Sequence, residues 1–239
     1  MKRLFSTLLA SIASLSSPTY AVSTNQQPAI VQKDDKTDLE RLVDSVIQIE
    51  SNGNPRAVGS YGEIGLGQLR LIRARELEKA RPYLPRLGKT DEDAKSALFN
   101  PAVNRAYTRA ALDDNIKISA RMQPNNIELV VASYNAGPNA VETAAYQKAL
   151  NELTGSQLVH DGSIGPRTEE VTRRFQISYN EAHPDRIKVD GKLGPETKAK
   201  IRRAYKERFS RDMPKGLVPQ NGTTEFYVRK VLWNYNTRR

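Results

Sequence analysis

Apolar residues recur along this chain of 239 residues at the three-to-four spacing of helices buried on one side. Leu39, Leu42, Val43, Val46 and Ile49 form one such face. Thr37 with Glu40 makes a capping box at its start, and Ser51, Gly53 and Pro55 close it. Val103, Ala106, Tyr107 and Ala110 line a second face, behind Asn100 as N-cap and Pro101 at the first helical position. A third helix opens near Asn126, turns Ile127, Val130, Val131 and Tyr134 inward and stops at Gly137-Pro138. A final one carries Tyr227, Val228, Val231, Leu232 and Tyr235, with Thr224 as its cap. Between these faces, four glycines from Gly59 to Gly67 break any regular element and predict a shaped loop. The fold class that follows is mostly α.

An internal repeat adds a second texture. Asp161-Gly162-Ser163-Ile164-Gly165-Pro166-Arg167-Thr168 returns 29 residues later as Asp190-Gly191-Lys192-Leu193-Gly194-Pro195-Glu196-Thr197. Each copy leads into a helical pattern, the first with Val171 and Phe175, the second with Ile201, Ala204 and Tyr205. Asp-Gly makes a turn and Pro suits the first turn of a helix, so the octapeptide reads as a loop that starts a helix. Nothing in it has an obvious catalytic task.

Composition narrows the chemistry. The absence of cysteine excludes disulfides, thiolate metal sites, cysteine nucleophiles and lipidated cysteines. The two histidines, His160 and His183, belong to no ligand-spaced cluster, so neither a metal nor another cofactor is expected. Lys2 and Arg3, an uncharged stretch from Leu4 to Leu15 and the small residue Ala21 make residues 1–21 a secretory signal peptide, too short to span a bilayer. Its removal lowers the formal charge from +10 to +8. The mature chain is expected in the periplasm or outside the cell, without stable membrane insertion and without a nucleic-acid partner. Seven cations between Lys198 and Arg211 meet only Glu207 there, a solvated basic helix face suited to an acidic wall polymer.

Glu50 is the chemical candidate. It lies four residues after Val46 and seven after Val43, on the apolar side of its helix and at the C-terminal end. Apolar surroundings and the negative end of the helix dipole both disfavour the carboxylate, leaving a proton donor near neutrality. The plainer alternative is an ordinary, exposed Glu at a frayed helix end.

Three motifs carry a resemblance. Glu50-Ser51 with Asn54-Pro55 and Ala57, then Gly62-Glu63-Ile64-Gly65-Leu66-Gly67-Gln68, then Ser133-Tyr134-Asn135-Ala136-Gly137 resemble, in order, those of the soluble lytic transglycosylase family, which has a goose-type-lysozyme-like fold. Leu98-Phe99-Asn100-Pro101 with Asn104 looks like its intervening helix, and Tyr227-Val228-Arg229-Lys230-Val231-Leu232 like its closing one. The repeat resembles a small three-helix peptidoglycan-binding-like domain. The resemblance implies Glu50 as the single acid/base; Ser51 as a residue polarising a substrate amide; Gln68 as a lining of the sugar site; Tyr134 as the tyrosine whose hydroxyl approaches Glu50; and Asn135 as a shaper of the groove. Two departures stand out: Gly67 replaces a Met of the second motif, and Glu63 replaces a usual Ala.

The reaction implied is cleavage of the β-1,4 bond between N-acetylmuramic acid and N-acetylglucosamine, closing a 1,6-anhydro ring without water. Glu63 supports an alternative, a lysozyme-type muramidase in which it is the second carboxylate; its plainer readings are a solvent-facing loop acid or a partner for Arg70 or Arg73. A wall-binding or secretion-assembly protein with reduced activity is a third reading. The implied partners are peptidoglycan strands and a component of a secretion apparatus. The expected organisation is a signal peptide (1–21), a flexible leader (22–37), a catalytic domain in two parts (38–139 and 209–239), and a peptidoglycan-binding-like insertion (140–208).

Overall fold

The computed structural model describes residues 35–238. Nine helices follow one another among them: α1 (Asp35–Ser51), α2 (Leu71–Ala80), α3 (Asp91–Leu98), α4 (Pro101–Met122), α5 (Ile127–Ala136), α6 (Pro138–Thr154), α7 (Pro166–Ala182), α8 (Pro195–Phe209) and α9 (Thr223–Thr237). The expected mostly helical class is what is found. The expected signal peptide and, up to residue 34, the expected leader lie outside the described residues.

Several boundaries differ from expectation for local reasons. α1 is already helical at Asp35, so Thr37, expected at its start, sits inside the first turn. α9 has Gly222 at its N-cap rather than Thr224. The Asn221 side chain accepts from the Thr224 N–H at 2.7 Å, which leaves the Thr224 hydroxyl to donate to Asn135. α4 and α5 start as expected, with the Asn100 and Asn126 side chains accepting from backbone N–H groups of their first turns. Gly137 ends α5, yet Pro138 opens α6 at once: the residue pair that stops one helix starts the next.

Three apolar clusters hold these helices. Val43 and Val46 of α1, Val131 of α5 and Val228 and Val231 of α9 are buried together. Ile64 and Leu69 of the glycine loop pack with Leu77 of α2, Leu98 of α3 and Tyr107 of α4. Tyr146 and Leu150 of α6, Phe175 of α7 and Ile201 and Tyr205 of α8 form the third. The closing helix thus crosses the whole repeat in sequence to bury its apolar face on α1 and α5.

The repeat is a hydrogen-bonding device. In α6, the buried Gln147 donates to the Asp161 carboxylate at 2.8 Å and the Ser163 carbonyl at 2.9 Å, and accepts from the Gly162 N–H at 2.9 Å. In α7, Gln176 does the same 29 residues on, donating to Asp190 at 3.1 Å and Lys192 at 3.4 Å and accepting from Gly191 at 2.8 Å. Asn151 and Asn180 repeat the pattern one turn later, each gripping the backbone N–H and C=O of one residue, Leu158 and Ile187. The repeating unit is therefore helix plus loop, and its first helix is α6. The octapeptide is the acceptor set for a buried glutamine.

The basic helix α8 is less bare than its sequence implies. Lys198 pairs with Glu142, Lys200 and Arg203 with Asp185, Lys206 with Asp212 and Arg211 with Glu152. Acids of neighbouring segments match most of its cations, which ties α8 to α6 and to the loop after α7.

Candidate functional site

The glycine loop is built before the site can be. Ile64 and Leu69 exchange backbone hydrogen bonds at 3.0 and 3.1 Å, and the Gly59 N–H donates to the Glu63 carbonyl at 2.8 Å. Asn104 of α4, wholly buried, pins this loop from beneath. Its Nδ2 donates to the Ile64 and Leu98 carbonyls, both at 2.9 Å, and its Oδ1 accepts from the Gly67 N–H at 2.9 Å. Gly67 cannot carry a side chain here: a Cβ would stand 2.0 Å from the Thr108 hydroxyl and 2.8 Å from the Tyr134 hydroxyl. The missing Met is thus a backbone drawn tight against α4 and α5, not an opened groove.

Side chains from α1 and α5 grip the loop's carbonyls. Ser51 donates to the Leu66 carbonyl at 2.8 Å, and Tyr134 to the Gly67 carbonyl at 2.7 Å. Gln68 adopts a left-handed backbone, with φ +48°, and its amide donates to the Gly65 carbonyl at 2.9 Å. Asn135 accepts from Thr224 of α9 at 3.0 Å. Ser51 directly follows Glu50 in the last turn of α1.

Glu50, Glu63, Gln68, Tyr134 and Asn135 line one cleft of about 630 Å³. Tyr227 of α9 donates its hydroxyl to Glu50 Oε1 at 2.7 Å. Burial pushes the Glu50 carboxyl up to about 7; the Tyr227 hydrogen bond pulls it back, and the negative charge of Glu63 pushes it further up. The hydroxyl bonded to Glu50 is therefore that of Tyr227, while Tyr134 spends its own on Gly67. Burial, and the Glu50 charge after it, keep both phenols protonated by raising them far above their ordinary range.

Glu63 bonds to its own loop, its Oε2 accepting from the Tyr61 N–H at 3.0 Å. It is not the partner of Arg73, which pairs with Asp114 at 2.8 Å and Glu76 at 3.4 Å. Tyr227 was hidden in the sequence as one more apolar-face residue of the last helix. Among the described residues no group of three or more His, Asp or Glu could hold a metal ion. A carboxyl pushed up to about 7, with one oxygen held by a phenol, can give up a proton and take one back.

A family model described as Transglycosylase SLT domain matches residues 27–152, just over half of the chain. The chain belongs to this family. An SLT domain is a lytic-transglycosylase-type domain acting on peptidoglycan, and its lysozyme-like helical architecture is the one found here. The SLT match holds Glu50, Glu63, Gln68, Tyr134 and Asn135 and ends at residue 152, ahead of the α9 tyrosine that bonds to Glu50. Neither the curated proteins nor the solved structures gave a match. Among the described residues no helix is long and apolar enough to cross a membrane.

Proposed function

We propose that the protein is an exported lytic transglycosylase that cleaves the β-1,4 bond between N-acetylmuramic acid and N-acetylglucosamine. The single observation that carries this reading is Glu50, partly buried in the cleft, bonded to Tyr227 and titrating near neutrality. Such a carboxyl protonates the bridging oxygen as the glycosidic bond breaks. The carboxylate left behind then takes the proton of the muramic C6 hydroxyl, which attacks C1 and closes the 1,6-anhydro ring. Two protons cross one carboxyl in opposite directions, and Glu50 ends as it began.

Tyr227 holds Oε1 throughout, leaving Oε2 to carry the travelling proton. Its hydrogen bond stabilises the carboxylate that the second step needs, while burial favours the acid that the first step needs. The attacking hydroxyl comes from the sugar, so no second carboxylate has to position a water. Ser51 and Tyr134 keep the loop's backbone in place beside the glycan, and Gln68 and Asn135 face it from the cleft wall.

A muramidase reading rests on Glu63, which lines the same cleft and whose charge reaches Glu50. The bond from the Tyr61 N–H ties up one of its oxygens and favours a role in tuning Glu50. Mass spectrometry of muropeptides released from purified sacculi separates the two: anhydro products are one water lighter than hydrolysis products. Replacement Glu50→Gln tests the catalytic reading against a wall-binding or secretion-assembly role, with loss of cleavage expected and near-wild-type cleavage overturning it. Periplasmic or secreted placement follows from residues 1–21, and partnership with a secretion apparatus would place the cut where that machine crosses the wall.

A further inference from the structure

The cleft walls carry three carboxylates, Glu50, Glu63 and Glu76, and two guanidinium groups, Arg70 and Arg73. Arg73 is committed to Asp114 and Glu76. Arg70 differs in kind. Its backbone is fixed, because it follows Leu69 of the Ile64–Leu69 bridge, occupies the N-cap of α2 in an extended conformation (φ −76°, ψ 139°) and accepts from the Ala74 N–H at 3.0 Å. Its side chain is exposed and, among the described residues, has no carboxylate within ion-pair distance. A rooted stem with a free guanidinium, in a cleft otherwise weighted towards acids, is an arrangement that waits for an anion.

We infer that Arg70 reads a free carboxylate of the peptide stem on the muramic residue being cut, and so makes the enzyme prefer peptide-bearing over naked glycan. This rests on the reading of the cleft as a peptidoglycan site. The muramic ring must lie against Glu50 for its C6 hydroxyl to be deprotonated, and the stem leaves that same ring through the lactyl group. A short, carboxylate-bearing peptide therefore runs along the cleft walls whichever way it exits. The neighbouring Glu63 and Glu76 repel it, and Arg70 is the one lining cation without a resident partner, so attraction and repulsion select the same path. Arg70 is a specificity residue and touches none of the reacting atoms.

The test is steady-state cleavage by the full mature protein of two soluble glycans, one with stems intact and one stripped by an amidase, with the lactyl carboxylates that the amidase exposes then converted to neutral amides. Wild type should show the lower KM on the stem-bearing glycan. Loss of one charge-assisted pair should raise that KM about tenfold in Arg70→Gln, bringing the two KM values together, with kcat on the stem-bearing glycan little moved. Arg70→Lys should restore part of the preference. A wild-type enzyme indifferent to stems, or an Arg70→Gln variant that keeps the full preference, overturns the assignment of Arg70 alone. Wild-type protein inert on both glycans overturns the reading of the cleft itself, and this inference with it.

Discussion

At the scale of single residues the cleft turns on what surrounds one carboxyl. Glu50 rises from the ordinary 4.5 to about 7 on folding, so between those values the unfolded chain ionises while the folded one keeps its proton. The stability this contributes is whole below about pH 4.5 and is lost as pH rises through 7, about 3 kcal/mol in all. Glu50→Gln cannot titrate, so the stability difference between variant and wild type should grow in the variant's favour from pH 5 to pH 8 by about that amount, read by urea unfolding. A difference that stays flat with pH would mean that Glu50 is not shifted. The neighbours move the same value in opposite directions. Glu63→Gln removes a negative charge, lowers the Glu50 pKa and shifts the alkaline limb of the activity profile to lower pH; Tyr227→Phe removes the bond to the carboxylate and shifts that limb upward. If Glu63→Gln instead abolishes cleavage at every pH, Glu63 is the water-activating base of a muramidase. Spacing alone could place Glu50 at a helix end, but the phenol that meets it comes from 177 residues away, a distance no local pattern encodes.

Among the elements, the glycine loop shows how a departure from a motif can be structural. Gly67→Met restores the side chain the resemblance leads one to expect, yet drives it into the Thr108 hydroxyl and the Tyr134 hydroxyl. A cost above about 2 kcal/mol is expected, with cleavage lost as the Gly67 carbonyl leaves Tyr134; a variant as stable as wild type would show that the loop is free to open. Asn104→Leu strands the Gly67 N–H and two carbonyls in a dry core, and a loss of about 3 kcal/mol in thermal unfolding is expected. Helices whose apolar spacing runs over several turns and whose first turn has an Asn cap, α4 and α5, were legible from the sequence. α2 shows only two fully buried residues in ten, too few to set a period, and α6 hides behind a Gly-Pro pair that looks like an end. α3 was missed although Thr90 and Asp93 cap each other reciprocally, a signal present in the sequence.

Across the whole molecule, the family match and the working cleft do not share a boundary. The SLT match ends at residue 152, inside α6, whose Gln147 and Asn151 already serve the repeat. α6 thus packs on α5 and is also the first repeat helix, so the family-matched segment and the repeat are joined along a continuous helix rather than through a linker. The chain then returns through α9 to bury Tyr227, Val228, Val231 and Tyr235 on α1 and α5. Four such side chains contribute roughly 6 to 12 kcal/mol of burial, as much as the net stability of an ordinary domain. A chain stopped at Gly222 keeps Glu50, Gln68, Tyr134 and every residue of the family match, and loses the helix that seals their core and holds Glu50 Oε1. It should show no muropeptide release and a first melting transition many degrees lower, while helicity of the repeat, whose core draws on α6, α7, α8 and their adjoining loops but on no residue of α9, survives to higher temperature. Full cleavage by the truncated chain would mean that α9 and its Tyr227 are dispensable. Loss of cleavage with the repeat still folded would show that cleavage needs α9, which follows the repeat in the chain.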